Sequence, residues 1–258
     1  MEYDRIYNCD CLEGMSDMAD KSVDAIITDP PYGQLNKTNK HVAWDRQVPM
    51  SDMWVQFLRV IKDNGAIVIF ANGMFTADLM RSQPTLWRYN LIWVKDRKTG
   101  FLNANKMPLR QHEDICVFYK KMPTYNPQMT PCSPEERIHG HKTKRRLNRL
   151  YGGHNASEAN IRDCKYPTSV LCFDKEHKNG EMYHPTQKPV SLISYLISTY
   201  TNEGDVVLDP FMGSGTTAVA AMKLNRYYIG YEINKEYCDI ASRRIEQNRD
   251  LFTENINI

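Results

Sequence analysis

The stretch Val23-Asp24-Ala25-Ile26-Ile27-Thr28-Asp29-Pro30-Pro31-Tyr32 decides how this chain folds. Its first six residues form a short, largely β-branched apolar run, a pattern that predicts a buried strand. Two prolines follow directly after Asp29 and predict a rigid turn, because proline has no N–H to donate to a sheet. In open α/β sheets ligands bind at the carboxyl ends of the strands. The sequence therefore predicts a functional turn at Asp29–Tyr32.

The four residues of this turn suit the binding of a planar amine. Asp29 supplies a hydrogen-bond acceptor, and the prolines keep the preceding backbone extended, so that its carbonyl groups point outward. Tyr32 adds a flat aromatic face. Together they could hold an exocyclic amine of a nucleobase by its two hydrogens and its ring. A plain surface turn explains the same four residues equally well when they are considered alone.

Composition indicates an ordinary soluble protein in a reducing compartment. Of the 258 residues, 41% are hydrophobic and 25% are charged, and no apolar run approaches the roughly 18 residues that span a bilayer. The polar N-terminus does not resemble a signal peptide, so a cytoplasmic location is expected. Seven cysteines, an odd number, indicate free thiols. Cysteines and histidines between 132 and 177 suggest zinc, but no Cys-x-x-Cys pair is present, and we predict no metal.

Further apolar runs alternate with helical patterns and predict an α/β fold. An exception is the region 120–181, where apolar periodicity disappears, and we predict an insert there. Within it, residues 137–149 contain six arginines and lysines and no acid. Such a run is either a solvated face or a contact to phosphates, and concentrated basic charge in a near-neutral chain favours nucleic acid. The predicted DNA-binding residues are Lys142, Lys144, Arg145, Arg146 and Arg149.

A second strand and turn lie in the C-terminal part of the chain. The strand 205–209 leads into a glycine-rich turn at 210–215, and a further strand ends at Glu232. Glycines allow the backbone to approach a ligand closely, and Glu232 can accept hydrogen bonds from both hydroxyls of a ribose. The spacing also satisfies the dinucleotide fingerprint, so a dehydrogenase has to be considered.

Asp209, which opens this turn, favours a different ligand. Its carboxylate suits an amino group and would repel a pyrophosphate brought close to it. A dehydrogenase would also leave the turn at Asp29–Tyr32 without a role. A ligand that combines adenosine, an ammonium group and a transferable methyl group fits both turns, and S-adenosylmethionine is such a ligand.

Three motifs together resemble the β class of DNA amino-methyltransferases: Asp29-Pro30-Pro31-Tyr32, Asp209-Pro210-Phe211-x-Gly213-x-Gly215 and the segment 184–189, His-Pro-Thr-Gln-Lys-Pro. In that class the catalytic motif precedes the cofactor motif, and a target-recognition region lies between them. The resemblance implies a doubly wound, mostly parallel, seven-stranded sheet that is circularly permuted. It also implies a methyltransferase domain formed by residues 1–119 and 182–258, with the insert 120–181 as the target-recognition region.

The resemblance also implies residue roles. The catalytic residues would be Asp29, Pro30, Pro31 and Tyr32: Asp29 and the Pro30 carbonyl would hold the amine, and Tyr32 would stack on a flipped base. S-adenosylmethionine would be the cofactor, and the implied reaction needs no metal. The implied cofactor-binding residues are Asp10 and Cys11 at the adenine, Glu232 at the ribose, Asp209, Phe211, Gly213, Ser214 and Gly215 at the methionine end, and Thr186, Gln187 and Lys188 at the carboxylate. From local sequence alone, Asp10 would rather be a helix cap.

The aspartate at position 29 resembles the adenine-N6 branch of the class, whereas cytosine-N4 enzymes more often carry serine there. We therefore predict a site-specific adenine-N6 methyltransferase acting on double-stranded DNA. The alternatives are a cytosine-N4 enzyme and a catalytically inactive DNA-binding protein. The resemblance further suggests a homodimer and a cognate restriction enzyme as partners.

Overall fold

The computed structural model describes residues 2–33, 47–133, 163–174 and 187–254. The strands are β1 (Arg5–Tyr7), β2 (Val23–Thr28), β3 (Ile61–Ala71), β4 (Trp87–Thr99), β5 (Arg110–Phe118), β6 (Thr130–Pro131), β7 (Cys164–Lys165), β8 (Val170–Cys172), β9 (Val206–Asp209) and β10 (Tyr227–Tyr231). The α-helices are α1 (Cys11–Ser16), α2 (Met50–Val60), α3 (Met74–Ser82), α4 (Val190–Tyr200), α5 (Thr216–Lys223) and α6 (Lys235–Glu254).

Eight of these strands form one sheet in the order β1-β10-β9-β2-β3-β5-β4-β8. The first five strands of that order run parallel, and β5 runs antiparallel to both β3 and β4. The predicted mostly parallel α/β fold is confirmed. The sheet has eight strands and not the expected seven, because Val170–Cys172 adds a parallel edge strand next to β4.

The two sequence motifs meet at the centre of this sheet. Strand β2 pairs with β9 through Ala25↔Val207 and Ile26↔Leu208, although the two strands are far apart in sequence. Because the pairing is parallel, both carboxyl ends lie at the same edge. The turns that follow β2 and β9 are therefore neighbours, as ligand binding by an open α/β sheet requires.

Helices cover both faces of the sheet. Successive residues of β2 alternate between the faces, so Ile26 packs with α1, α2 and α3, and Ile27 packs with α4 and α5. All four β2 residues from Ala25 to Thr28 are fully buried. A strand apolar on both sides is typical of a doubly wound sheet, and it holds the turn that follows it rigidly.

The described residues of the region 120–181 belong to two units. Residues 127–168 form a compact unit of their own, whose described part contains the two-stranded pair β6–β7. Strand β8 belongs to the other unit, which comprises residues 1–126 and 169–258. The basic run at 137–149 lies outside the described residues, so its predicted DNA contacts, like the recognition role of the insert, stay predictions. In the part of the chain that the structure describes, no helix is long and apolar enough to cross a membrane.

Candidate active site

The turn after β2 is fixed by hydrogen bonds of its own side chains. The Tyr32 hydroxyl donates to Asp29 Oδ1 over 2.7 Å. The Tyr32 ring packs against Phe75 of α3, with 4.9 Å between the ring centroids. Pro30 is buried, whereas Asp29 keeps part of its surface exposed to the cleft. The turn therefore presents a carboxylate whose orientation is set before any ligand binds.

The second oxygen of Asp29 belongs to a chain of four alternating charges. Lys188 Nζ donates to Asp29 Oδ2 and lies 3.5 Å from Glu113 Oε2. Lys95 Nζ in turn donates to Glu113 Oε1 over 2.9 Å. Lys188 also lies over the Phe70 ring, 4.9 Å from its centroid. Both lysines are almost fully buried, with 9% and 4% of the side chain exposed for Lys188 and Lys95.

Burial and the neighbouring charges shift the pKa values in this chain. Burial raises the pKa of Asp29, Glu113 adds to that rise, and Lys188 opposes it. Burial would also raise the pKa of Glu113, but the ammonium groups of Lys188 and Lys95 hold it below its ordinary value. Burial disfavours the Lys188 cation, but Asp29 and Glu113 outweigh it and raise the pKa of Lys188. Lys188 is therefore a cation, and Glu113 an anion, at neutral pH.

Asp209, at the end of β9, connects three elements. Its Oδ1 accepts from the Thr28 hydroxyl over 2.6 Å and from the Phe211 N–H over 3.1 Å, and its Oδ2 accepts from the Thr217 hydroxyl over 2.6 Å. Burial raises the pKa of Asp209 to about 6. The carboxylate thus ties β9 to β2 and to the first turn of α5. The amino-group contact predicted for Asp209 stays a prediction.

The glycine-rich turn needs glycine at two positions. Gly213 and Gly215 have φ angles of +53° and +84°, in the left-handed region that other residues rarely adopt. A Cβ atom on Gly215 would lie 2.9 Å from the Ala241 side chain. The Glu232 carboxylate accepts from the N–H groups of Gly213 and Asn234, each over 2.8 Å, and burial raises the pKa of Glu232. The predicted ribose acceptor therefore also shapes the turn.

Arg244 was not predicted from the sequence, although it supports this turn. Its side chain is 7% exposed, and Nη1 donates to the Ser214 carbonyl over 2.6 Å and to the Ser214 hydroxyl over 3.0 Å. The Ser214 hydroxyl donates to Gln187 Oε1 over 3.3 Å. Arg244 lies among the buried residues Ala241 and Ile245 of α6. A charged residue within the apolar stripe of a helix is the signal that could have identified it.

Asp10 is the helix cap that local sequence suggested, and its predicted contact with the cofactor adenine stays a prediction. Its Oδ1 accepts from the Leu12 N–H over 2.8 Å, as the N-cap of α1. Asp10 and Cys11 also line the cleft, at the carboxyl end of β1. Burial raises the pKa of the Cys11 thiol to about 12, so the thiol stays protonated at neutral pH. Of the predicted cofactor residues, Thr186 lies outside the described part of the chain.

The turns after β1, β2, β9 and β10 surround one cleft of about 820 Å³. This volume lies within the range of about 300 to 1,000 Å³ that is usual for small-molecule sites. The predicted residues that line it are Asp10, Cys11, Asp29, Pro30, Pro31, Tyr32, Gln187, Lys188, Asp209, Phe211, Gly213, Ser214 and Glu232. Gly215 lies behind this lining, where it begins α5. Within the described ranges, no cluster of three or more His, Cys, Asp and Glu residues could hold a metal ion.

Comparisons with known proteins define the family. Residues 23–243 match the DNA methylase family of N6 and N4 methyltransferases. The Type II methyltransferase M.BglII of Bacillus subtilis is 31% identical over 256 residues, which cover 92% of this chain and 67% of that protein. The crystal structure of the M1.HpyAVI–SAM complex has a TM-score of 0.62 and 27% identity, and the match covers 93% of this chain and 98% of that one.

The chain belongs to this family of DNA methylases, so the class that the three motifs suggested is confirmed. The PvuII DNA methyltransferase, described as cytosine-N4-specific, has a TM-score of 0.63 and 19% identity, over 98% of this chain and 92% of that one. At that identity the likeness concerns the fold alone. The family covers both N6 and N4 methylation, and membership does not choose between adenine and cytosine.

Proposed function

We propose that this protein transfers a methyl group from S-adenosylmethionine to the N6 amine of adenine in DNA. The observation that carries the proposal is the hydrogen bond from the Thr28 hydroxyl to Asp209 Oδ1, 2.6 Å long. It joins the residue before the Asp29–Tyr32 turn to the residue that opens the glycine-rich turn. An amine held at Asp29 and a methyl donor held at the second turn would thus share one cleft.

The residues of the cleft fit S-adenosylmethionine. Left-handed glycines, chiefly Gly213, allow close approach of the backbone, and Glu232 and Asp10 provide acceptors at the ends of β10 and β1. Gln187 reaches the glycine-rich turn through Ser214. When bound, S-adenosylmethionine supplies an electrophilic methyl group on a sulfonium centre. The SAM complex of M1.HpyAVI, which is 27% identical to this chain, supports the same assignment.

The turn residues act on the target amine. Asp29 accepts one amine hydrogen and the Pro30 carbonyl accepts the other, which leaves the nitrogen lone pair directed toward the methyl donor. Tyr32 provides the aromatic face for the base, with its hydroxyl anchored on Asp29. Orientation of this kind is effective, since effective molarities of well-aligned reactants reach about 10⁵ to 10⁸ M. A base inside a duplex cannot reach such a cleft, so the adenine is flipped out.

An exposed hairpin loop supports contact with DNA. Because β5 runs antiparallel to β3, the β4–β5 loop projects from the same sheet edge as Asp29. The exposed basic residues of this hairpin are Arg97, Lys98, Lys106 and Arg110. Basic side chains beside a catalytic cleft suit the phosphates that flank a target base. These side chains would hold the duplex beside the cleft.

Transfer of labelled methyl groups from S-adenosylmethionine to duplex DNA, followed by nucleoside analysis, tests this function. We expect labelled N6-methyladenine. Labelled N4-methylcytosine would assign the enzyme to the other branch of its family. Cofactor binding without transfer to DNA of varied sequence would indicate an inactive DNA-binding protein. A homodimer and a cognate restriction enzyme stay predictions.

A further inference from the structure

Glu113 lies in none of the motifs that predicted the site. It sits on β5, at the sheet edge that carries Asp29, and its carboxylate lies between two buried lysines. We propose that Glu113 is a positioning residue for methyl transfer, which acts through Lys188 on the carboxylate of Asp29. The inference rests on the proposed role of Asp29 as acceptor of the target amine, and it holds for either base.

The geometry gives Lys188 two anionic neighbours on different elements. Its Nζ donates to Asp29 Oδ2 after β2 and lies 3.5 Å from Glu113 Oε2 on β5. Glu113 Oε2 is buried and accepts no hydrogen bond, so its remaining attraction is to the Lys188 cation. Buried acceptors without a hydrogen bond are costly and uncommon. Lys188 thus joins the Glu113 carboxylate to the Asp29 carboxylate, and this geometry points to a use of the Glu113 charge at Asp29.

A shared lysine keeps Asp29 available to the substrate. If Lys188 were paired with Asp29 alone, its ammonium would compete with the target amine for the same carboxylate oxygen. The Glu113 carboxylate also attracts the Lys188 ammonium and keeps it to one side of the Asp29 carboxylate. Asp29 is then oriented by Lys188 and by the Tyr32 hydroxyl, yet it can still accept a hydrogen bond from the amine.

Lys95 completes the chain and makes it electrically neutral. It donates to Glu113 Oε1 over 2.9 Å, and its Nζ lies 6.0 Å from the centroid of the Trp93 ring. Two carboxylates and two ammonium groups therefore alternate from Asp29 to Lys95. Removing one member leaves a buried charge without its partner, which is strongly destabilising. For this reason the test includes a double variant that removes Glu113 and Lys95 together.

The charged and titratable groups that face Asp29 are Lys188, Glu113, Tyr32 and Asp209. Glu113 raises the pKa of Asp29, whereas Lys188 lowers it. Loss of the Glu113 charge should move the acidic limb of the rate profile to lower pH, and loss of the Lys188 charge should move it to higher pH. Opposite displacements would not follow from a general loosening of the fold.

The experiment measures single-turnover methyl transfer to DNA between pH 5 and pH 9 for Glu113→Gln, Lys188→Met and the double variant Glu113→Gln, Lys95→Met. Lys62→Met is the control, because Lys62 pairs with Asp24 over 2.7 Å near the amino end of β2, whereas Asp29 follows its carboxyl end. Circular dichroism shows whether each variant is folded, and calorimetric titration with S-adenosylmethionine measures cofactor affinity.

We expect the Glu113 variants to lose about 10²-fold in transfer rate, as small misplacements of catalytic groups do. Their affinity for S-adenosylmethionine should stay within about threefold, and the acidic limb should shift in opposite directions for Glu113→Gln and Lys188→Met. An unchanged rate, or displacement in the same direction, overturns the inference. Asp29→Asn is measured under the same conditions. If Asp29→Asn keeps the wild-type rate, the proposed catalytic role of Asp29 fails; if only the Glu113 variants keep it, this inference alone fails.

Discussion

The turns after β2 and β9 each begin with an aspartate followed by proline, yet the two aspartates have different partners. Asp29 contacts the Tyr32 hydroxyl and the Lys188 ammonium, which are the ends of long side chains. Asp209 contacts two threonine hydroxyls and a backbone N–H, all on the framework of the sheet and its helix. Asp29 is thus held by side chains that line the cleft, as suits a group that accepts a substrate, whereas the partners of Asp209 suit a group that holds the site together.

The largest effect is expected at the first turn. Asp29→Asn should reduce methyl transfer by at least about 10³-fold, because the amide replaces a charged acceptor that orients the amine. Affinity for S-adenosylmethionine should stay within a few fold, since Asp29 lies outside the glycine-rich turn. Single-turnover transfer and calorimetric titration check the two quantities. Full turnover by Asp29→Asn would mean that the Asp29 carboxylate does not hold the target amine.

Asp209→Asn should act mainly on stability, with a defined pH dependence. The pKa of Asp209 is about 6 in the folded protein against an ordinary 3.8. The carboxyl therefore contributes stability that is fully present below pH 3.8 and is lost as the pH rises through 6. Between pH 4 and pH 7, the advantage of wild type over Asp209→Asn in free energy of unfolding should fall by about 2 kcal/mol.

Urea unfolding of both proteins at several pH values measures this difference. Asp20→Asn controls for the loss of a carboxylate, because Asp20 is 74% exposed on the surface. A constant difference between wild type and Asp209→Asn would mean that the Asp209 carboxylate is not held at a raised pKa.

Thr28→Val should affect both turns, since the Thr28 hydroxyl joins them. Asp209 Oδ1 would keep the Phe211 N–H but lose the Thr28 hydroxyl, which should lower the free energy of unfolding by about 1 kcal/mol. Transfer rate and cofactor affinity should fall together, because the hydrogen bond that joins the two turns is lost. Thr199→Val is the matched control: its buried hydroxyl donates to Tyr195 O over 2.7 Å within α4. If both variants lose stability but neither loses rate, the link between the turns has no functional role.

The smallest effect is expected from substitutions in the β4–β5 hairpin, which lies at the sheet edge that carries Asp29. Replacing Arg97 and Lys98 by glutamine should weaken DNA binding and lower the log–log salt slope by about 0.9 for each lost phosphate contact. Lys120 and Lys121 follow β5 at the opposite edge, and their glutamine variants are the control. If the two pairs of glutamine variants have equal salt slopes, the hairpin does not contact DNA phosphates.

The two turns could be predicted from the sequence because their signals are local. Prolines after a β-branched run and glycines at left-handed positions act within a few residues. The parallel α/β class followed from the alternation of such runs with helical patterns. Strand β8 could not be predicted in the same way, because it is three residues long and only its pairing with β4 defines it.

The ion chain around Asp29 could not be predicted, because its members come from separate elements. Lys188 is 159 residues from Asp29 in sequence, and Glu113 lies on a third segment. Charged residues are usually exposed, and nothing local to Glu113 or Lys95 indicates burial. Lys188 was predicted to bind the cofactor carboxylate, and its contact with Asp29 became visible only in the folded protein.

The most direct test of the central claim is sequencing of modified bases in genomic DNA from cells that express the protein or its Asp29→Asn variant. The proposed function predicts N6-methyladenine within a defined sequence context for the wild-type protein, and its loss for the variant. Modified cytosine in place of adenine, or modification that persists in Asp29→Asn, would contradict the assignment of an adenine amine to the Asp29–Tyr32 turn.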